Sequence, residues 1–164
     1  MNIFNYFRLK HQVKRQIRLC CKYSQLKSAI FVDSTRKLAY IDKMITSIIK
    51  HKRLYKSLLS KENHSKKYCE WRFSNRSCIS CVCTNGIVYV KRLHSVVVDE
   101  NISKDIKESV IAPIVTFYPT KKKINIIDME KTNVNGYMVR NYWQEIPIKI
   151  TARDTLEATT ERRS

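Results

Sequence analysis

Glycine is nearly missing from this 164-residue chain, which holds only two, and proline is scarce, with three. Phosphate-cradling loops need glycines clustered where backbone amides approach the ligand, so neither a Walker nor a dinucleotide-binding fingerprint is present. His-Glu-x-x-His and Gly-x-Ser-x-Gly strings are absent as well. Between positions 3 and 31 there is no acidic residue. Long apolar runs are lacking too, because Arg8, Lys10, Lys14, Arg15 and Lys22 interrupt them, and no window approaches the roughly 18 residues of a membrane-spanning helix. The same charges exclude a secretory signal. Six cysteines (Cys20, Cys21, Cys69, Cys78, Cys81 and Cys83) are therefore read as reduced thiols, and an intracellular, reducing compartment is expected.

What the chain has in excess is positive charge: 32 Lys+Arg against 14 Asp+Glu, or +18. Residues 1–61 carry 15 of those cations with only Asp33 and Asp42 against them. Such a block attracts polyanions over about a Debye length and says nothing about fold. It is the composition of an arm for nucleic acid, for an anionic membrane surface or for an import receptor. An acid-free basic N-terminus raises mitochondrial import, although the stretch has only Ser24 and Ser28 where import peptides are Ser-rich. Nucleus or cytoplasm is the alternative.

Apolar positions Leu9, Val13, Ile17 and Cys20 recur at helical spacing, so 3–31 is expected to be a basic amphipathic helix and 1–32 an arm. Asp33, Ser34 and Thr35 offer N-cap oxygens, and Leu38, Ile41, Ile45, Ile48, Tyr55 and Leu59 follow at three-four spacing. That pattern predicts a second helix over about 35–60, with Lys37, Lys43, Lys50, Arg53 and Lys56 on its other side. From 71 the period becomes two and β-formers dominate. Asn85-Gly86 predicts a hairpin pairing Cys83 with Val88, Cys81 with Val90 and Ile79 with Arg92. Asn135-Gly136 is weaker, since the same register sets Lys131 against Arg140. Ser103 caps a short helix ending before Pro113, and strands are expected at 114–118 and 124–127. The tail 151–164 reads as disordered. The expected fold class is α+β: basic amphipathic helices, then a small, mostly antiparallel sheet with one short helix. Residues 33–150 would form a single domain, β-rich over 71–150.

Three groups of residues bear on chemistry. Cys78-Ile79-Ser80-Cys81 has a zinc-ligand spacing and joins His64 and Cys69 as a metal candidate. Against it, residues 78 and 81 of a strand point to opposite faces, and buried thiols are common in cores. Asp99, Asp105 and Lys107 resemble a metal-dependent nuclease arrangement, yet acidic residues in a first helical turn simply complement the helix dipole. Lys66, Lys67, Trp71, Arg72 and Arg76 interleave cations with aromatic rings, as single-strand binders do. A core role for Trp71 and Phe73, two apart on a strand, weighs more heavily.

These observations predict a protein that binds nucleic acid without catalysis and needs no cofactor, RNA being preferred slightly to duplex DNA. The expected contacts are Lys10, Lys14, Arg15, Arg18, Lys50, Lys52, Arg53, Lys56, Lys66, Lys67, Trp71, Arg72, Arg76 and the loop Lys121, Lys122 and Lys123. No helix-turn-helix, zinc-finger or RRM signature accompanies them, so no sequence specificity is expected. Two other classes compete. One is a structural or adaptor subunit whose 35–60 helix packs on a protein partner, as in a ribonucleoprotein. The other is peripheral attachment to an anionic membrane through residues 3–31.

Overall fold

A computed structural model of the chain describes residues 3–85, 92–116, 118 and 143–150. The first helix, α1 (Ile3–Lys22), buries Leu9, Val13, Ile17 and Cys20 along one stripe. It stops short of the expected 31. The run Lys27–Val32 is instead a strand, β1, with all but its first residue buried. Ala29-Ile30-Phe31-Val32 has apolar side chains on successive positions, which suits a strand covered on both faces. Residues 3–32 of the expected 1–32 arm are part of the fold: β1 is inside the sheet and α1 lies in the same core.

Ser34 caps the second helix, α2 (Thr35–His51), its hydroxyl accepting from the Lys37 backbone N–H at 3.3 Å. The predicted 35–60 helix breaks at Lys52, which is extended (φ −110°, ψ 113°), and resumes as the short α3 (Arg53–Leu58). Residue 59 begins a strand, β2 (Leu59–His64). Strands β3 (Tyr68–Phe73) and β4 (Cys78–Cys83) follow, then β5 (Ser95–Asp99). Ser103 caps α4 (Lys104–Ile106), as the sequence leads one to expect; a π-helical turn (Lys107–Ile111) and a 3-10 turn (Ala112–Ile114) extend it past Pro113. Of the strand expected at 114–118, the described residues show one isolated bridge, Leu93 to Val115. Strand β6 (Trp143–Ile146) completes the sheet.

The six strands run in the order β2-β3-β4-β1-β5-β6. The chain is α+β, but its sheet is mixed where a mostly antiparallel one was expected. β1 pairs in parallel with β4 and β5, and β5 with β6, while β2-β3 and β3-β4 are antiparallel. The Asn85-Gly86 hairpin is overturned by this topology. Ile79 and Cys81 are already paired with Trp71 and Cys69 on one side and with Ser28 and Ile30 on the other, so β4 has no free edge for Val90 or Arg92. The weaker turn at Asn135-Gly136, the strand 124–127, the loop Lys121–Lys123 and the tail 151–164 lie outside the described residues.

One face of the sheet, through Ile30, Val32, Trp71, Ile79, Cys81 and Val97, packs under α1 and α2. The other, through Ala29, Phe31, Val82, Val96 and Val98, meets Leu93, Ile102 and Ile111. Edge strand β2 is exposed from Ser60 to His64, and its charged residues discourage pairing with another chain. The shortage of glycine has a visible cost: Gln25, Arg76 and Arg92 adopt positive φ (60°, 67° and 55°), a conformation worth about 1–2 kcal/mol in strain for a residue with a Cβ.

Candidate functional site

Because α1 buries its stripe from Leu9 to Cys20, the opposite side of the helix displays Arg8, His11, Lys14, Arg15, Arg18 and Lys22. Helix α2 buries Leu38, Ile41, Ile45, Ile48 and Ile49 and displays Arg36, Lys43 and Lys50 in the same manner. The two helices touch each other and cover the same face of the sheet. Their outer sides therefore make one continuous surface, and it is cationic. Among the described residues, Arg8, Lys14, Arg15, Arg18, Arg36 and Lys50 have no carboxylate within 4.0 Å. Lys10 lies over the Tyr6 ring at 5.5 Å, Lys22 over Tyr23 at 5.3 Å and Lys52 over Tyr55 at 5.2 Å, contacts that position an ammonium without neutralising it.

Exposed Lys52, Arg53 and Lys56 continue the charge around the end of α2. Lys66, in the turn between β2 and β3, joins Arg36, Lys43 and Lys50 along a groove of about 1140 Å³ between α2 and the β2 edge. Lys67 is exposed beside it. Of the expected contacts, then, those on α1, α2 and α3 and Lys66 share one side of the molecule. Arg8, Lys22, Arg36 and Lys43 share it too, in addition to the expected contacts; their helical phase relative to the buried stripe is the signal in the sequence.

Three expected contacts lie elsewhere. Trp71 is 0% exposed, packed under the helices with no partner for its indole N–H among the described residues; it is a core residue and offers no ring to a base. Arg72, one residue on, points to the opposite face, where it pairs with Glu70. That pairing is the first cause of its raised pKa. Arg76 lines the same opposite-face pocket, with Tyr68, Cys78 and Ser80.

A second charged cluster occupies the carboxyl end of the parallel strands, the edge where open sheets of this kind commonly bind ligands. Asp33 follows β1 and Asp99 ends β5; Lys37 reaches both, at 3.0 and 2.6 Å. Asp99 is fully buried, and its second oxygen accepts from the Asn101 backbone N–H at 3.1 Å. Burial by itself would lower the Lys37 pKa, but the two carboxylates outweigh it and the ammonium is held above its ordinary value. The nuclease-like trio does not assemble: Asp99 is taken up by Lys37, Asp105 is exposed on α4, and Lys107 pairs with Glu145 at 3.1 Å.

The metal candidates separate as strand alternation requires. Cys81 faces the helices, whereas Cys78 lines the opposite-face pocket, where burial and then the Glu70 charge push its thiol up to about 11. His64 and Cys69 do come together, and the partner they find is Asp42 of α2. No family model, curated protein or solved structure matches the chain.

Proposed function

We propose that the chain binds nucleic acid without catalysis, gripping phosphates with the joined outer sides of α1 and α2, RNA being the first polymer to expect. One observation carries this reading: Arg8, Lys14, Arg15, Arg18, Arg36 and Lys50 lie together on that surface with no carboxylate within 4.0 Å among the described residues. With Trp71 in the core, no described aromatic residue of the expected set stacks on bases, so binding rests on phosphate contacts and is indifferent to sequence. The groove beside Lys50 and Lys66 extends the track across the β2 edge.

Fluorescence anisotropy with single-stranded RNA and duplex DNA, repeated at rising salt, tests the reading. The logarithm of affinity should fall linearly with log salt, by about 0.7 per phosphate contact for a single strand and 0.9 for the duplex. Replacing Arg15 and Arg18 together by glutamine should make the slope shallower by about 1.4–1.8. A slope near zero, or one that ignores the double substitution, refutes it.

A second reading is favoured by the tip of α1, where Ile3, Phe4 and Phe7 are 66%, 79% and 60% exposed beside Arg8. Such a tip suits shallow insertion into an anionic membrane. The rest of α1 is committed to the core, so residues 3–31 as a whole do not lie in the interface. Flotation with anionic liposomes that is lost in Phe4→Ser/Phe7→Ser, with RNA affinity unchanged, would favour this second reading.

A further inference from the structure

Beneath the cationic surface, three side chains from three elements converge at one end of the groove. Asp42 projects from the inner side of α2; His64 ends β2; Cys69 stands opposite His64 in the antiparallel register of β2 and β3. Their donor atoms all lie within 4.8 Å of one another, and Asp42 Oδ1 is 2.7 Å from His64 Nδ1. A tetrahedral zinc ion with bonds of about 2.0–2.3 Å holds its donors roughly 3.3–3.8 Å apart. Side-chain rotations of an ångström or so thus convert this cluster into a ligand set, with no change in the sheet.

We propose that Asp42, His64 and Cys69 bind a single zinc ion, its fourth position open to the groove between α2 and β2. The donor chemistry selects the metal. Thiolate, imidazole and carboxylate together suit zinc, whereas calcium and magnesium take oxygen ligands. Partners for an outer shell are already in place. Glu62 Oε1 lies 3.3 Å from His64 Nε2, which fixes the tautomer with Nδ1 directed at the metal, and the Thr46 hydroxyl donates to Asp42 Oδ1 at 3.3 Å. Such contacts orient ligands and raise their basicity. On binding, the Asp42–His64 hydrogen bond gives way, the protons on Cys69 Sγ and on the metal-facing His64 Nδ1 leave to solvent, and Nδ1 supplies a lone pair while Nε2–H donates to Glu62. His64 is 36% exposed at its side chain, so the ion has a route in. Cys81, the register partner of Cys69 on the other side, backs the site from within the core. The ion would tie the exposed edge strand to α2, whatever the outer surface binds.

The competing explanation is a hydrogen-bonded Asp42–His64 pair that pins β2 without metal. To separate the two, the full chain, reduced and stripped of metal with EDTA, is titrated with cobalt(II) and then with zinc. A single equivalent of cobalt should give a thiolate-to-cobalt charge-transfer band that zinc abolishes. The band should vanish in Cys69→Ser and persist in Cys78→Ser. His64→Ala, which alters a half-exposed side chain and keeps the core intact, should weaken zinc binding by about a hundredfold or more, the upper end of what even outer-shell partners cost. No band in the parent chain overturns the proposal, and so does a band surviving in Cys69→Ser. Should Cys69→Ser lose its fold by circular dichroism, an unaltered zinc affinity in His64→Ala is the overturning result.

Discussion

Lys37 and Lys50 sit on the same helix, thirteen residues apart, and do opposite things. Lys37 turns towards the sheet and closes a buried ion cluster with Asp33 and Asp99. Lys50 turns outward into the groove, with no carboxylate within 4.0 Å among the described residues. Two kinds of charge result. At the carboxyl end of the parallel strands a cation is consumed by folding; on the helical surface cations such as Lys50 are not consumed in this way. Residue type does not distinguish them, and helical phase does.

Removing the inward lysine should have the larger effect. Lys37→Met leaves Asp99 charged and buried without its ion partner, and the loss expected from breaking such a pair is about 3–5 kcal/mol. Urea unfolding would measure it, and Lys37→Met/Asp99→Asn should recover much of the loss. A single substitution costing under about 1 kcal/mol would show that the cluster behaves as an ordinary surface pair.

The outward lysine should behave in reverse. Lys50→Gln is expected to change stability by no more than about 0.5 kcal/mol, while making the salt dependence of RNA binding shallower by about 0.7. If Lys50→Gln unfolds the protein, or leaves the salt slope untouched, the division of labour along α2 is wrong.

A smaller effect belongs to the amino end of β1 and β5. Burial, then the Lys27 charge, lowers the His94 pKa, and its Nδ1 accepts from the Lys27 backbone N–H at 2.9 Å. The folded state thus favours the neutral ring. Its contribution is present in full above the ordinary imidazole value of about 6.5 and declines as pH falls from there towards the lowered folded value. A Tm series between pH 7.5 and pH 5, run on the parent and on His94→Gln, should show a slightly steeper acid decline in the parent. Coincident curves would mean that the histidine is a bystander.

The helices were the legible part of this fold. Ser34 and the three-four spacing from Leu38 give the start and the buried stripe of α2, and the acid-free repeat from Leu9 gives α1. Their far ends were harder to read. Lys52 interrupts the pattern with no proline or glycine to mark the break, and residues 27–32 carry no charge that would separate strand from helix after Lys27. In the site, cation phase on α1 and α2 is readable, whereas Trp71, flanked by Lys67 and Arg72, suits both a stacking ring and the favoured core position, and only its burial decides for the core.

Pairing was beyond local pattern altogether. Asn85-Gly86 is a strong turn signal, but whether β4 accepts the following segment depends on which edges are already filled, and β1 and β3 fill both. The meeting of Asp42 with His64 and Cys69 is of the same kind, since their separations in sequence carry no spacing rule. The amino-acid order by itself settled the charge, the larger net surplus at the front of the chain, the helical stripes and the α+β class, all of which follow from composition and period. Strand order, the sense of the pairings and the company each charged side chain keeps were decided only in three dimensions, because hydrogen-bonding edges and buried carboxylates are satisfied by whichever distant segment reaches them.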